Sequence, residues 1–189
     1  QQRTAEVMDE TTEAIESFEF FRFFQLLQNF CVTDLSNFYL DIAKDRLYVS
    51  APADQRRRSC QTVMALIIER LAGLIAPVLC HMAEDIWQNL PYPVEETSVF
   101  HRGWPKVPTE WRDAALSAPV QELRELRAAV NKVLEDCRGR QELGASLEAA
   151  VRIDARRPEL QAAVSWLSET GDPEVDGLRD WLLVSQLQI

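Results

Sequence analysis

Five positive side chains fall within one short span: Lys44, Arg46 and the run Arg56-Arg57-Arg58. Tyr39 and Tyr48 lie among or beside them. A guanidinium forks onto a phosphate through two parallel N–H donors and stacks on bases, and a tyrosine ring supplies a flat stacking surface. Against Asp41, Asp45 and Asp54 the stretch Tyr39–Ser59 keeps a local excess of two positive charges, on a chain whose formal net charge is -10. On a helix Lys44 and Tyr48 are i, i+4 neighbours and share a face. The three arginines fall at the start of the next helix, where they oppose the helix dipole, so a purely stabilising role suits them poorly. Two readings stand: a small RNA-contact surface, or a charged helix end that is merely solvated.

Other chemistry has less to work with. No Gly-rich phosphate loop, GxSxG, HExxH or GxGxxG occurs. His81 follows Cys80 and precedes Glu84 and Asp85, but no third or fourth donor converges on it, and a structural role is expected. Glu84 and Asp85 are sequence neighbours and point apart on a helix, so they read as a solvated face rather than an acid–base pair. Met64 and Met82 read as core fillers. Cys31, Cys60, Cys80 and Cys137 form no CxxC pair, which gives a structural zinc site no support. They are expected to be small buried thiols in a reducing cytosol.

These residues need elements to hold them. The chain has 189 residues, 47% hydrophobic and 26% charged, ordinary for a globular protein. No apolar run approaches the roughly 20 residues that cross a bilayer. Gln1-Gln2-Arg3-Thr4 starts neither a signal peptide nor a chain with its initiator Met, which suggests a piece of a longer protein.

Val7, Thr11, Ile15 and Phe18 recur at helical spacing. Phe18 to Phe30 is apolar nearly all round, which predicts burial on several sides. With no Pro or Gly between Glu16 and Tyr48, one long helix bent near Thr33-Asp34 is expected. Ser50 to Asp54 breaks it, and Asp54 is a fitting N-cap for the next helix. That helix carries Val63, Leu66, Ile67, Leu71 and Leu74, and Pro77 kinks or restarts it. A proline-bearing connection with Trp104 follows, and then a helix with Leu123, Leu126, Val130, Val133, Leu134 and Cys137. Around Leu147–Asp154 the period drops to two, which predicts a strand. Pro158 opens a short helix, Asp172-Pro173 caps another, and Leu182–Ile189 reads as a second strand. The expected architecture is mainly α: a helical bundle over 1–138 and a small α+β appendix over 139–189.

Three stretches then narrow the reading: NFCVTDLSNFYLDIAKDRLY (29–48), RRRSCQTVMALIIERLAGLIAPVLCHMAEDIWQNLP (56–91) and SVFHRGWP (98–105). In that order they resemble the anticodon-binding domain of bacterial isoleucyl-tRNA synthetases. VNKVLEDCRGRQELGASLEAAV (130–151) is similar to the segment after the bundle in the same enzymes. The FYLD…KDRLY run sets the match apart from the valyl and leucyl relatives, whereas APVLCHMAEDIW is shared more widely among class I synthetases.

The resemblance implies an anticodon-binding helical bundle that holds the anticodon stem-loop for an enzyme coupling isoleucine to tRNA(Ile) with ATP and Mg. It places the HIGH and KMSKS signatures and an editing domain outside this stretch, so this chain carries no active site, and it leaves a cysteine zinc module to the parent protein. It implies RNA contact by Lys44, Arg46, Arg56, Arg57 and Arg58. Trp104 is a stacking candidate whose alternative is capping the core, and Lys132 and Arg138 follow in a second tier. A cytoplasmic monomer with no DNA or membrane partner is expected. The net charge predicts weak, salt-sensitive binding by this stretch alone. The competing reading is a helical protein-interaction or structural domain.

Overall fold

The structure, a computed structural model, describes residues 1–170 and 177–189. Asp172-Pro173, expected to cap a helix, lies outside the described residues. Helix α1 (Gln2–Glu16) buries Val7, Met8, Thr11 and Ala14. The hydroxyl of Thr11 donates to the carbonyl of Val7 at 2.7 Å, so its burial leaves no polar group unpaired.

The expected continuous helix from Glu16 breaks at Phe18, which takes a left-handed φ of 58°. The Phe18 N–H bonds the carbonyl of Ile15 and the Glu19 N–H that of Ala14. This is a Schellman ending with phenylalanine where glycine is usual. The chain reverses into α2 (Phe20–Asn29), which packs back along α1. Only Phe23, Leu27 and Phe30 are buried here, one stripe at i, i+4, i+7. Phe18, Phe20, Phe21 and Phe24 face solvent, Phe18 with 78% of its surface exposed. The expected all-round burial is therefore wrong: only α1 and the core flank this helix, and they fill one side.

The helix continues through Phe30–Leu40 in wide π turns and ends as α3 (Asp41–Tyr48). The expected bend at Thr33-Asp34 is a widening of the helix spread over these eleven residues. After a loop, α4 (Gln55–Ile75) starts on the expected cap: the Asp54 carboxylate accepts the N–H groups of Arg56 and Arg57 at 2.8 and 3.2 Å. It ends one residue before Ala76-Pro77, and α5 (Cys80–Gln88) restarts the stripe. A short α6 (Val99–Arg102) follows. Val7, Met8, Phe23, Phe30, Leu71, Leu74 and Trp111 share one core; each of the large ones contributes roughly 2–3 kcal/mol by leaving water. Ala72, Ala83, Trp87 and Val99 make a smaller one.

These elements form one compact unit, Gln1–Arg112; the second is Asp113–Ile189. The division expected at 138–139 falls inside the second of these units. Helix α7 (Ser117–Gly139) joins the second unit because Leu123, Val130 and Leu134 share a core with Ala163, Leu167 and Leu182. Strand β1 (Ala150–Arg152) is shorter than expected. Helix α8 (Pro158–Thr170) begins at the expected proline, and α9 (Leu178–Leu182) takes the start of the expected last strand. Strand β2 (Gln186–Gln188) pairs parallel to β1, with Val151 opposite Leu187. The protein is mainly α, with a two-stranded sheet as its β component among the described residues.

Candidate nucleic-acid interface

Residues 49–54 connect α3 to α4, and the two helices pack together. The end of α3 and the start of α4 are therefore neighbours, which brings Lys44 and Arg46 to the same end of the first unit as Arg56, Arg57 and Arg58. Lys44 is exposed and its ammonium donates to Asp41 at 2.8 Å, one turn back. Arg46 is half-buried and lies close enough to Tyr39 to act on its charge. Arg56 keeps its Nε 3.9 Å from Asp54. Arg57 is half-buried and donates to the carbonyl of Ser50 at 3.0 Å, which ties the loop to the helix. Arg58 is exposed, with its backbone N–H on the Asp54 carbonyl. The carboxylates that partner this cluster are themselves at the surface. In high dielectric such pairs are worth little.

Behind this tip the π segment, α3 and α4 leave a groove of about 660 Å³. Tyr39, Tyr48, Arg57, Gln61, Met64 and Tyr92 are in its wall. The Tyr39 hydroxyl meets the Cys60 thiol at 3.3 Å. Burial, together with that thiol, pushes the Tyr39 phenol well above the ordinary tyrosine value, so it stays protonated at any physiological pH. The sequence contained no signal for this groove, because Tyr92 reaches it from a loop after α5 and donates to the carbonyl of Ala65 at 3.2 Å.

A family model of the anticodon-binding domain of tRNA ligase matches residues 2–153. The chain belongs to that family. It is similar to the isoleucine–tRNA ligase of Parasynechococcus marenigrum (strain WH8102), 87% identical over 188 residues. It is also 77% identical to the isoleucine–tRNA ligase of Synechococcus sp. (strain CC9311) and 72% to that of Prochlorococcus marinus (strain MIT 9313), each over 188 residues. In all three cases the match covers 100% of this chain and 19% of the relative, so the chain spans about a fifth of the length of these relatives.

Within this anticodon-binding domain the other candidates fare differently. Trp104 is partly buried on the first core and its indole N–H donates to the Thr12 hydroxyl at 2.9 Å. That is the packing expected of a core-capping tryptophan, and it stands apart from the α3–α4 tip in sequence. Arg138 is committed to the turn after α7: its guanidinium donates to the Gly144 carbonyl and the Ser146 hydroxyl at 3.2 and 3.1 Å and pairs with Glu135. Lys132 is exposed on α7.

His81 is exposed, and no group of three or more His, Cys, Asp or Glu could hold a metal ion among the described residues. The four cysteines are carried by separate elements. They are not uniformly buried as expected: Cys60 is, but Cys31 and Cys80 face solvent and Cys137 is intermediate, because their stripes extend past the edge of the core. Glu84 is more than a solvated carboxylate. It accepts from Gln88, from the Ser98 hydroxyl at 2.8 Å and from the Val99 N–H at 3.1 Å, which anchors the start of α6. Those donors, Gln88 first, hold its pKa below the ordinary glutamate value. No helix among the described residues is long and apolar enough to cross a membrane.

Proposed function

We propose that this domain holds the anticodon stem-loop of tRNA(Ile) for an isoleucine–tRNA ligase, while ATP- and Mg-dependent aminoacylation proceeds elsewhere in the parent protein. The observation that carries the reading is the meeting of Lys44, Arg46, Arg56, Arg57 and Arg58 across one short loop, on a chain that is otherwise strongly acidic. Phosphate contacts by these side chains would set the register of the hairpin, and unpaired loop bases would then be splayed against the protein surface. On a chain with a net charge of -10, a cluster of five cations favours the orientations in which a hairpin docks at that end. The parent is read as a cytoplasmic monomer. Any zinc would be held by cysteines beyond this stretch, since its own four are dispersed.

The test uses the full-length ligase. Reversing charge at the tip (Arg57→Glu, and Arg58→Glu separately) should raise the KM for tRNA(Ile) in aminoacylation. Amino-acid activation without tRNA, read by pyrophosphate exchange, should be unchanged. An unchanged KM for both variants would refute the assignment. A protein-interaction role has one observation in its favour, the exposed phenylalanines at the α1–α2 corner. It predicts no salt-dependent RNA binding at all.

A further inference from the structure

In the second unit, strand β1 is paired along one edge. Its register with β2 sets Val151 opposite Leu187, and the Ile153 N–H donates to the Gln188 carbonyl at 2.8 Å. In a parallel ladder a residue turns its N–H and C=O to the same neighbour, and the next residue turns both the other way. Val151 and Ile153 therefore face β2, and the backbone groups of Ala150 and Arg152 face away from it. Among the described residues the sheet ends there. On that side a groove of about 570 Å³ separates β1 from α7. Its helical wall includes Leu126, Ala129, Val133 and Cys137, a stripe at i, i+3, i+7 and i+11. This stripe runs beside the one that α7 buries in the core of the unit, Leu123, Val130 and Leu134. Val133 is 61% exposed. Helix α7 thus carries apolar side chains past the edge of the sheet.

The two walls together specify the occupant. An open strand edge asks for extended backbone, which satisfies its N–H and C=O groups, and an apolar helix face beside that edge asks for apolar side chains at alternate positions. We infer that this edge takes a third strand supplied by the same polypeptide, from a segment outside residues 1–189. The chain spans about a fifth of the length of the relatives it matches, so most of the parent polypeptide is available to supply it. A tethered segment arrives at the effective concentration set by its linker, whereas a free peptide or a second copy meets the full cost of association. Leaving the edge open would also be a liability. Parallel strands are normally covered by other elements, and an unpaired edge beside apolar surface is a template for pairing with foreign chains. The three residues of β1 span about 10 Å, so the main-chain pairing is short, and burial of the Leu126–Cys137 stripe supplies the rest of the hold.

The test uses the full-length ligase. Amide hydrogen exchange at single-residue resolution on the unsubstituted protein should find the Ala150 and Arg152 N–H groups protected, as paired strand amides are. A thiol at Val133→Cys should react with a maleimide at least about tenfold more slowly than one at Lys132→Cys, its exposed neighbour on α7, because only the first is covered. A photoreactive p-benzoylphenylalanine in place of Val133 should crosslink to a segment of the same molecule outside residues 1–189. Mixing light and heavy-isotope ligase distinguishes a crosslink within one molecule from one between two. Crosslinks between two molecules would overturn the inference by making the edge a contact between copies. Equal labelling of the two cysteines with free exchange at Ala150 and Arg152 would overturn it by showing the edge open. A protected Val133→Cys beside freely exchanging Ala150 and Arg152 amides would overturn the strand, since the cover would then lie on α7 without pairing to β1. The exchange measurement needs no substitution, so it decides the matter even where a bulky group at position 133 keeps the strand out. None of these readouts depends on RNA binding.

Discussion

Arg58→Gln is the sharpest perturbation of the tip. Its guanidinium is exposed, while its structural job is done by the backbone, whose N–H bonds the Asp54 carbonyl and whose carbonyl accepts the Thr62 hydroxyl at 2.9 Å. The substitution removes a charge and leaves the helix start intact. Counterion release makes log K fall with log salt by about 0.7 to 0.9 per phosphate neutralised. With all five tip cations engaged, the slope for a hairpin is roughly -3.5 to -4.5. Losing Arg58 should make it shallower by about 0.7 to 0.9, so the deficit relative to wild type is about tenfold near 0.05 M salt and about fourfold near 0.2 M.

Lys44 supplies the internal comparison. Its ammonium already sits 2.8 Å from Asp41, so it must leave a carboxylate before it can meet a phosphate. Lys44→Gln should change the slope by less than Arg58→Gln does. Asp41→Asn should tighten binding a few-fold at low salt, because it removes both a competitor and a negative charge beside the hairpin. Fluorescence anisotropy of a labelled anticodon hairpin across a salt series on the full-length ligase reads all three. A deficit for Arg58→Gln that stays constant from low to high salt would refute the reasoning, since it would mean that the side chain contacts no phosphate.

Three further outcomes follow from the packing. Trp104→Phe keeps the ring against the core but drops the bond to Thr12, and should cost about 1 kcal/mol in a urea titration while hairpin affinity stays within twofold of wild type; a large loss of affinity would return Trp104 to the RNA surface. Phe18→Gly relieves a left-handed backbone that costs a bulky residue about 1–2 kcal/mol, and should raise stability by up to that amount; a fall would show that the exposed ring packs more than its 78% exposure allows. Glu84 has its folded pKa depressed by Gln88, Ser98 and Val99, so the folded state binds its proton less readily than the unfolded chain. Its contribution is present above the ordinary glutamate pKa and is lost as pH falls through the lower folded value. Denaturation midpoints should drop across that acidic window, and Glu84→Gln should flatten this part of the profile.

Most of the helical framework was legible because its signals are local. The 3.6-residue stripes, the break at Pro52, the Asp54 cap and the restart after Pro77 each rest on residues a few positions apart, and the structure holds all of them. Both strands were legible, the first as an alternation, but only three residues of each pair, since the flanking residues are drawn into a helical turn at Ser146–Glu148 and into α9. The corner at Phe18 was not legible. A left-handed helix ending normally announces itself with glycine, and here the hydrogen bonds to Ala14 and Ile15 hold a phenylalanine in that conformation instead. The exposure of its neighbours was hidden for a related reason: composition shows how apolar a helix is, but not how many partners the fold supplies to cover it.

The candidate site divides along the same line. Its charges were readable because a loop of six residues forces two helix ends together, so proximity in sequence became proximity in space. The groove was not, because its wall needs Tyr92 to meet Ala65 across 27 positions and the widened turns of Phe30–Leu40 to carry Tyr39 toward Cys60. Charge at the tip acts over a Debye length of about 8–10 Å and responds to salt. Tip variants should therefore lower the association rate of a hairpin and make it less salt-dependent; a tip variant whose loss lay wholly in dissociation and did not change with salt would break that reading.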